Sequence, residues 1–364
     1  MAAPVTMRQI AERAQVSIGT VSHVINETAT VRPKLRERVI EAIRSMGYQP
    51  SALAQGLRRN RTNMLGMVIP DITNPFFPSV VRGVEDVAYK RSFRVILCNA
   101  DNDPSKEASY VRDLRSYHIA GLLIIPAVGP DIAGHLRAYA SASVPVVCID
   151  RVPDGWKGDA VLVANAEGAY LATRHLIQMG HKRLAVIAGP LKLTNAAERL
   201  KGFTRALNEA RIEIEPEFVQ EARFDTESGY QAALRLLRML PRPTAIFACN
   251  DLMAFGVLQA ARDLSLRCPE DLSIAGFDSL ELTKLTDPSL TSVYQPGYQL
   301  GATAARLLLQ RIDGMRSAPK KVLLPTELKK RNSVGPPHAA VLERIGRTTK
   351  VRERGGLMRR KQQV

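Results

Sequence analysis

From Leu65 onward the chain is punctuated by short, continuous apolar runs. They are Gly66–Ile69, Val95–Cys98, Leu122–Ile125, Val146–Ile149, Leu184–Ala188, Ala245–Ala248 and Ile274–Phe277. Runs too short for helices and without in–out alternation suit parallel strands covered on both faces. The early ones recur every ~25–30 residues, the length of a strand–helix–strand unit. Ser79–Lys90 and Lys106–Tyr117 have the pattern of the intervening helices. This part of the chain is therefore expected to be an α/β structure with crossover helices. Polar residues follow the runs: Asp71, then Asn99 and Asp101, Asp150 and Arg151, Asn250 and Asp251, and Asp278. Any one of them is ordinarily a turn or helix-cap residue. Gathered at the carboxyl ends of parallel strands, they predict a ring of hydrogen-bonding groups for a polyhydroxylated or similarly polar small molecule.

The first sixty residues follow a different, purely helical pattern. Met7, Ile10, Ala11 and Ala14 share one face of a helix, and Thr6 with Gln9 matches a capping box. Gln15, Val16 and Ser17 break it, and Ser17 suits the N-cap of a second helix. There Val21, Val24 and Ile25 point inward, leaving Ile18, Gly19, Thr20, Ser22 and His23 near the outward N-terminal side. Two helices joined this tightly, with small polar residues at the exposed start of the second, fit a helix-turn-helix. Pro33 and Gly47 bracket a third helix with Leu35, Val39, Ala42, Ile43 and Met46 on its inner face. The segment 50–62 that follows is a helix too short to be stable alone.

Charge sorts the same way. The whole chain carries +16, but residues 1–63 hold ten cations against four anions, and residues 336–364 eight against two, +6 in each case. A basic head on a nearly balanced body is an electrostatic footprint for nucleic acid.

The run VSIGTVSHVIN resembles the DNA-reading segment of the LacI/GalR family of bacterial transcription regulators. The likeness continues to near residue 335 through DITNPFF (71–77), GPLKLTNAAERLKGF (189–203), RFDTESGY (223–230), ACNDLMAFG (248–256) and AGFDSLELTKLTDPSLTSV (275–293). It implies an N-terminal all-α helix-turn-helix headpiece, 1–48, and a hinge helix, 49–63. Beyond them it implies an α/β core of two lobes like the periplasmic binding proteins, 64–335. The basic tail, 336–364, loses periodicity and is expected to be disordered; it has no leucine heptads for a zipper.

The resemblance also implies roles. Thr6, Ser17, Ile18, Gly19, Thr20, Ser22, His23 and Asn26 would lie on the DNA side of the head. Gly19 has no side chain and Ile18 offers only apolar contact, so Thr20 and His23 are the better base readers, with Ser22 and Asn26 positioning backbone. Leu57, with Ala54 on the same face and Arg58 beside it, would wedge into the minor groove at the centre of a near-palindromic operator. Arg199 would clamp an effector together with Asp150, Asn250 and Asp278, and Phe76, Phe77 and Phe224 would supply stacking faces. At least one of Phe76 and Phe77 is expected to be lobe core. A sugar suits such a ring best and a purine or nucleoside next. A partner protein as signal, or a sugar receptor without a DNA role, are the remaining alternatives.

A homodimer is expected. No Walker loop, GxGxxG, HExxH or GxSxG occurs, so an enzyme is not expected, nor any cofactor. His118, His135, His175 and His181 have no metal-ligand spacing, and His181 is expected in a loop or in packing. Cys98, Cys148, Cys249 and Cys268 have no paired spacing for zinc or a disulfide framework, and three of them, in or beside apolar runs, are expected to be reduced core thiols. Trp156 has no assignable role. The start lacks an apolar signal region and Ile119–Val128 is too short to span a bilayer, so a cytoplasmic protein without membrane association is expected.

Overall fold

The computed structural model describes residues 5–26, 29–48, 62–127 and 144–337, with 134, 136 and 139. Ala54, Leu57 and Arg58 of the expected hinge, His135, and most of the basic tail lie outside these residues. The chain divides into two units, Met1–Asn63 and Met64–Val364.

Among the described residues the first unit has three helices, α1 (Met7–Ala14), α2 (Ile18–Asn26) and α3 (Pro33–Ser45). Thr6 caps α1 as its pattern predicts: its backbone N–H donates to Gln9 Oε1 at 2.8 Å, and Gln9 N–H donates back to Thr6 Oγ1 at 3.4 Å. Gln15 then turns the chain in the left-handed region (φ 50°). Arg38 of α3 braces that turn, donating to the Ala14 carbonyl at 2.5 Å and the Gln15 carbonyl at 3.3 Å. A side chain from the third helix thus satisfies carbonyls that the end of α1 leaves open. Ile10, Ala11, Ala14, Val21, Val24, Val39 and Ala42 form the small core.

Among its described residues the second unit has two six-stranded sheets. Lobe 1 is entirely parallel. Its strands are β1 (Met64–Ile69), β2 (Arg94–Asn99), β3 (Gly121–Ile124), β4 (Val146–Ile149), β5 (Asp159–Val163) and β11 (Lys321–Leu324). Their order is β11-β5-β4-β3-β1-β2. Lobe 2 has β6 (Leu184–Ala188), β7 (Val219–Glu221), β8 (Ala245–Ala248), β9 (Ser273–Asp278), β10 (Thr291–Tyr294) and β12 (Glu327–Lys329). Its order is β12-β10-β9-β8-β6-β7, with only β12 antiparallel. The chain passes between lobes at Ala164, at Gln295–Pro296 and at Pro325–Thr326.

Helices α4 (Phe76–Lys90) and α5 (Pro104–Ser116) belong to lobe 1. Lobe 2 carries α6 (Asn165–Gln178), α7 (Thr194–Glu209), α8 (Thr226–Leu237) and α9 (Asp251–Asp263). The late helix α10 (Gly297–Ile312) returns to lobe 1 and lies against α4. Their backbones meet at Gly301, where a Cβ would overlap the Val80 carbonyl. Central strands such as β3, β4, β6 and β8 are buried at every residue, which explains their unbroken apolar runs. Strand β2 departs from the expectation of burial on both faces. It is an edge strand, pairs on one side only, and leaves Arg94 and Leu97 exposed.

Two residues without a functional assignment prove structural. His181 is buried, with Nδ1 2.9 Å from Thr244 Oγ1 and Nε2 2.9 Å from the Gly335 carbonyl oxygen, tying the end of the core to lobe 2. Burial lowers its pKa, favouring the neutral ring. Trp156 donates its indole N–H to the Asp159 carbonyl at 3.1 Å and folds over Gly158. All four cysteines are free thiols.

Candidate functional site

On the head, α2 presents the expected face. Ile18, Gly19 and His23 are exposed, with Thr20 and Ser22 half-buried between them. Ser17 caps the helix: Thr20 N–H donates to its Oγ at 3.1 Å, and the two hydroxyls are 2.9 Å apart. Asn26 Nδ2 donates to the Ser22 carbonyl at 2.8 Å and sits 3.2 Å from Ser22 Oγ. Ser17, Ser22 and Asn26 thus hold backbone, while Ile18 and His23 project outward. A Cβ added at Gly19 would meet only Ser17 Oγ, at 3.6 Å, so the bare start of this helix is open space.

In the core, a cavity of about 500 Å³ lies between the lobes at the carboxyl ends of their strands. That volume suits a small metabolite. All seven residues expected at an effector site line it: Phe76, Phe77, Asp150, Arg199, Phe224, Asn250 and Asp278. Phe76 and Phe77 form an edge-to-face pair with centroids 5.4 Å apart, and both are buried in the lobe-1 core as well as reaching the cavity edge. Phe224 is half-buried and covers Gly189, where a Cβ would overlap its ring.

Arg199, on α7, is 2 % exposed. It donates from Nε to Asn165 Oδ1 at 2.8 Å and from Nη1 to the Cys249 carbonyl at 2.5 Å. Its guanidinium lies 3.8 Å from the Phe277 ring centroid and Nη1 is 3.7 Å from Asp278 Oδ1. Asn250 caps α9, accepting from Met253 N–H at 3.0 Å, while its Nδ2 donates to the Phe224 carbonyl at 2.9 Å. Asp278 Oδ1 accepts from Gln295 Nε2 at 2.6 Å. Asp150 Oδ2 accepts from Asn195 Nδ2 at 2.8 Å, a bond that crosses from lobe 2 to lobe 1.

Backbone strain collects here. Asp101, Asn102, Asp150, Phe224 and Asp278 all have φ between 53° and 111°. Such conformations cost about 1–3 kcal/mol each and persist where surrounding structure imposes them. Burial pushes the Asp150 carboxyl up, against the pull of Arg199 and Arg151. Burial drives Asp278 well above the carboxylate range, Arg199 opposing, with the Asp251 and Asp150 charges adding to the rise.

The polar ring is not the one expected in every member. Asp251 turns away from the cavity, accepting from Ser292 Oγ at 2.5 Å and Leu280 N–H at 2.8 Å. Asn99 holds the neighbouring loop, accepting from Ile72 N–H and donating to Asp101. Arg151 lines the cavity as expected beside Asp150, and the cavity gains Asn195 and Gln295. Gln295 follows β10, whose mixed sequence TSVY gave no strand signal. Among the described residues no group of metal-ligating side chains occurs, and no helix is long and apolar enough to cross a membrane.

Comparison with known proteins joins the head and the core. Residues 6–51 match the model of bacterial regulatory proteins of the lacI family, and residues 173–334 match the periplasmic binding protein-like domain. The HTH-type transcriptional repressor PurR of Aliivibrio salmonicida (strain LFI1238) is 37% identical over 309 residues, covering 84% of this chain and 92% of that protein. The solved lac repressor dimer, bound to operator and the anti-inducer ONPF, is 28% identical with a TM-score of 0.81, over 92% of this chain and 100% of the other. The transcriptional regulator CelR in complex with cellobiose is 32% identical with a TM-score of 0.70, over 90% and 99%. A reading helix on a basic head, a two-lobed core and relatives alike over nearly their full length converge on one identity: this chain belongs to the lacI family and is a DNA-binding transcriptional repressor.

Proposed function

We propose that the repressor acts as a homodimer on a near-palindromic operator and that a small polar effector, a sugar, sets its affinity from the interlobe cavity. The head is assigned to 1–48, the hinge to 49–63, the two-lobed core to 64–335 and a basic tail to 336–364. Each head lays α2 in a major-groove half-site, because dimer symmetry imposes site symmetry. Thr20 and His23 read bases, Ile18 makes apolar contact, and Thr6, Ser17, Gly19, Ser22 and Asn26 carry the backbone approach. Leu57 with Ala54 enters the minor groove and bends the duplex, with Arg58 on phosphate. Exposed Leu282 and Leu285 are apolar surface that a second copy would cover.

One observation carries the effector reading. Buried donors and acceptors from both lobes, with the half-buried Phe224 ring, surround a cavity of metabolite size. Polyols pair hydroxyls with such groups and lay their C–H faces on rings. Effector binding in one lobe arrangement biases the dimer, and the coupling is reciprocal: whatever ligand does to DNA affinity, DNA does to ligand affinity.

A thermal-shift screen of sugars and nucleosides tests this. A ligand at 100 times its dissociation constant adds about 2.7 kcal/mol of stability, and each hit is then added to an operator-binding assay. A nucleoside acting where no sugar does would replace the sugar. Silence from both classes would leave a partner protein as the signal. For the DNA end, Leu57→Ala is expected to weaken operator binding more than nonspecific binding and to reduce the bend in a gel-phasing assay. Equal loss on both DNAs with the bend intact would reduce the hinge to a linker.

A further inference from the structure

The turn between α1 and α2 is built without the residue such turns favour. Gln15 sits in the left-handed region (φ 50°, ψ 52°), where glycine alone avoids a Cβ penalty. Its N–H reaches the Glu12 carbonyl at 3.2 Å, and Val16 N–H reaches the Ala11 carbonyl at 3.0 Å. Those bonds close the end of α1 without using the Ala14 and Gln15 carbonyls. Arg38 Nη2, from α3, takes both, at 2.5 Å and 3.3 Å, and lies 3.2 Å from Gln15 Oε1 as well. One end of a guanidinium thus holds the main chain and the side chain of the strained residue.

The consequence falls on α2. Val16 and Ser17 are all that separate Gln15 from its start at Ile18. Core contact begins late on that helix: Val21 and Val24 are its buried residues, while Ile18 and Gly19 are exposed. Ser17 caps the first turn from within, through Thr20 N–H, which fixes its shape but not its direction. The end assigned to base reading is therefore aimed by the chain that leads into it. Aim matters, because a recognition constellation has to be held within about 0.5 Å of its productive geometry.

An arginine on a basic head would ordinarily be assigned to phosphate. Here Nη2 is turned into the protein, toward the partly buried Ala14 carbonyl. We propose that Arg38 is a positioning residue for operator reading. By gripping the Ala14 and Gln15 carbonyls it fixes the direction in which α2 leaves the turn, and sequence discrimination depends on that grip without Arg38 meeting a base. The assignment rests on α2 being the reading helix and adds the residue that aims it.

The test uses the full chain, a duplex selected by the wild type from a randomised pool, and a scrambled duplex of the same composition. Arg38→Met is expected to lower the ratio of selected to scrambled affinity by about 10-fold or more, the scale of one charge-assisted hydrogen bond. A merely structural arginine would not move that ratio, because a partly unfolded head loses both duplexes alike. A phosphate-binding arginine would weaken both about equally and lower the slope of log affinity against log salt by about 1. Arg38→Lys keeps the charge but not the planar fork. It is expected to hold scrambled-duplex affinity within about 2-fold, to give an intermediate ratio, and to serve if Arg38→Met does not fold. Gln15→Gly keeps both carbonyls and relieves the left-handed backbone, so its ratio is expected within about 2-fold of wild type. An unchanged ratio in both Arg38 variants, equal loss on both duplexes with a lower salt slope, or a Gln15→Gly ratio as low as that of Arg38→Met overturns the inference. Each of these leaves a DNA-binding repressor standing. Failure of the wild type to select any duplex overturns the assignment of α2 as the reading helix, and this inference with it.

Discussion

The two walls of the interlobe cavity are built on opposite terms. On lobe 2, Arg199 is spent on Asn165 and the Cys249 carbonyl, and Asn250 on Met253 and Phe224. On lobe 1, Asp150 and Arg151 each keep a buried atom open. A wall whose groups are already bonded orients a ligand without further ordering, because its side chains have lost their freedom on folding. A wall with open donors and acceptors gains most from a ligand, because the ligand removes an existing desolvation penalty. Lobe 2 is thus the template and lobe 1 the grip.

The largest expected effect breaks the template. Arg199→Ala would strand a buried Asp278, together with Asn165 and the Cys249 carbonyl. Leaving buried acceptors without their donor costs about 1–3 kcal/mol each. Urea denaturation should report that loss, and the effector should no longer change operator affinity. A loss within about 0.5 kcal/mol, typical of surface substitutions, would show that the lobe-2 wall is not a bonded unit.

Next in size is a pH effect seated behind the same wall. Burial pushes the Asp251 carboxyl up to about 7 from an ordinary 3.8, with the Ser292 and Leu280 hydrogen bonds opposing. Between roughly pH 4 and pH 7 the folded protein keeps this proton while the unfolded chain has released it. Its contribution to stability is therefore full below that window and is lost as pH rises through it. In Asp251→Asn the amide can still accept from Leu280 N–H and cannot ionise. Denaturation at pH 5, 6, 7 and 8 should show wild type losing stability relative to the variant as pH rises, by a total on the order of 2–4 kcal/mol. Parallel curves would place the ionised carboxylate comfortably in its site.

The same contrast explains how far the sequence alone could be read. Central strands announced themselves as unbroken apolar runs because both their faces are buried. Strands β5, β7, β10, β11 and β12 did not. The last two are half-exposed, β7 has three residues, and β11 at 321–324 joins β5 at 159–163 across more than half the core, a pairing no local pattern encodes. The head was legible almost residue by residue, since its caps and helical faces are local, yet the Arg38 brace on α1 depends on a contact 24 positions away. At the cavity, the bonded template was legible through conspicuous residues such as Arg199 and Asp278. The grip was only partly so, because Arg151 matters through what it lacks, and an unfilled valence is invisible until neighbours are placed.

The smallest effect belongs to the bond that joins the two walls. Asn195 Nδ2 donates to Asp150 Oδ2, and nearby Val152 N–H reaches Thr194 Oγ1 at 3.4 Å, so the start of α7 touches the β4 loop across the cleft. Asn195→Ala removes the stronger of these bonds and leaves the Asp150 carboxylate with neither oxygen satisfied, at a cost of about 1–3 kcal/mol. Asn195→Asp distinguishes a lost bond from a changed charge. It sets a second carboxylate against Asp150, and two such groups in contact share one proton rather than ionise together. The Ala variant should therefore be uniformly destabilised from pH 6 to pH 8, while the Asp variant should lose further stability as pH rises and the shared proton leaves. If both variants tracked wild type across that range, the lobes would be held by the crossovers at Ala164, Gln295 and Thr326 alone, and the cleft contact would carry no share of the closed arrangement.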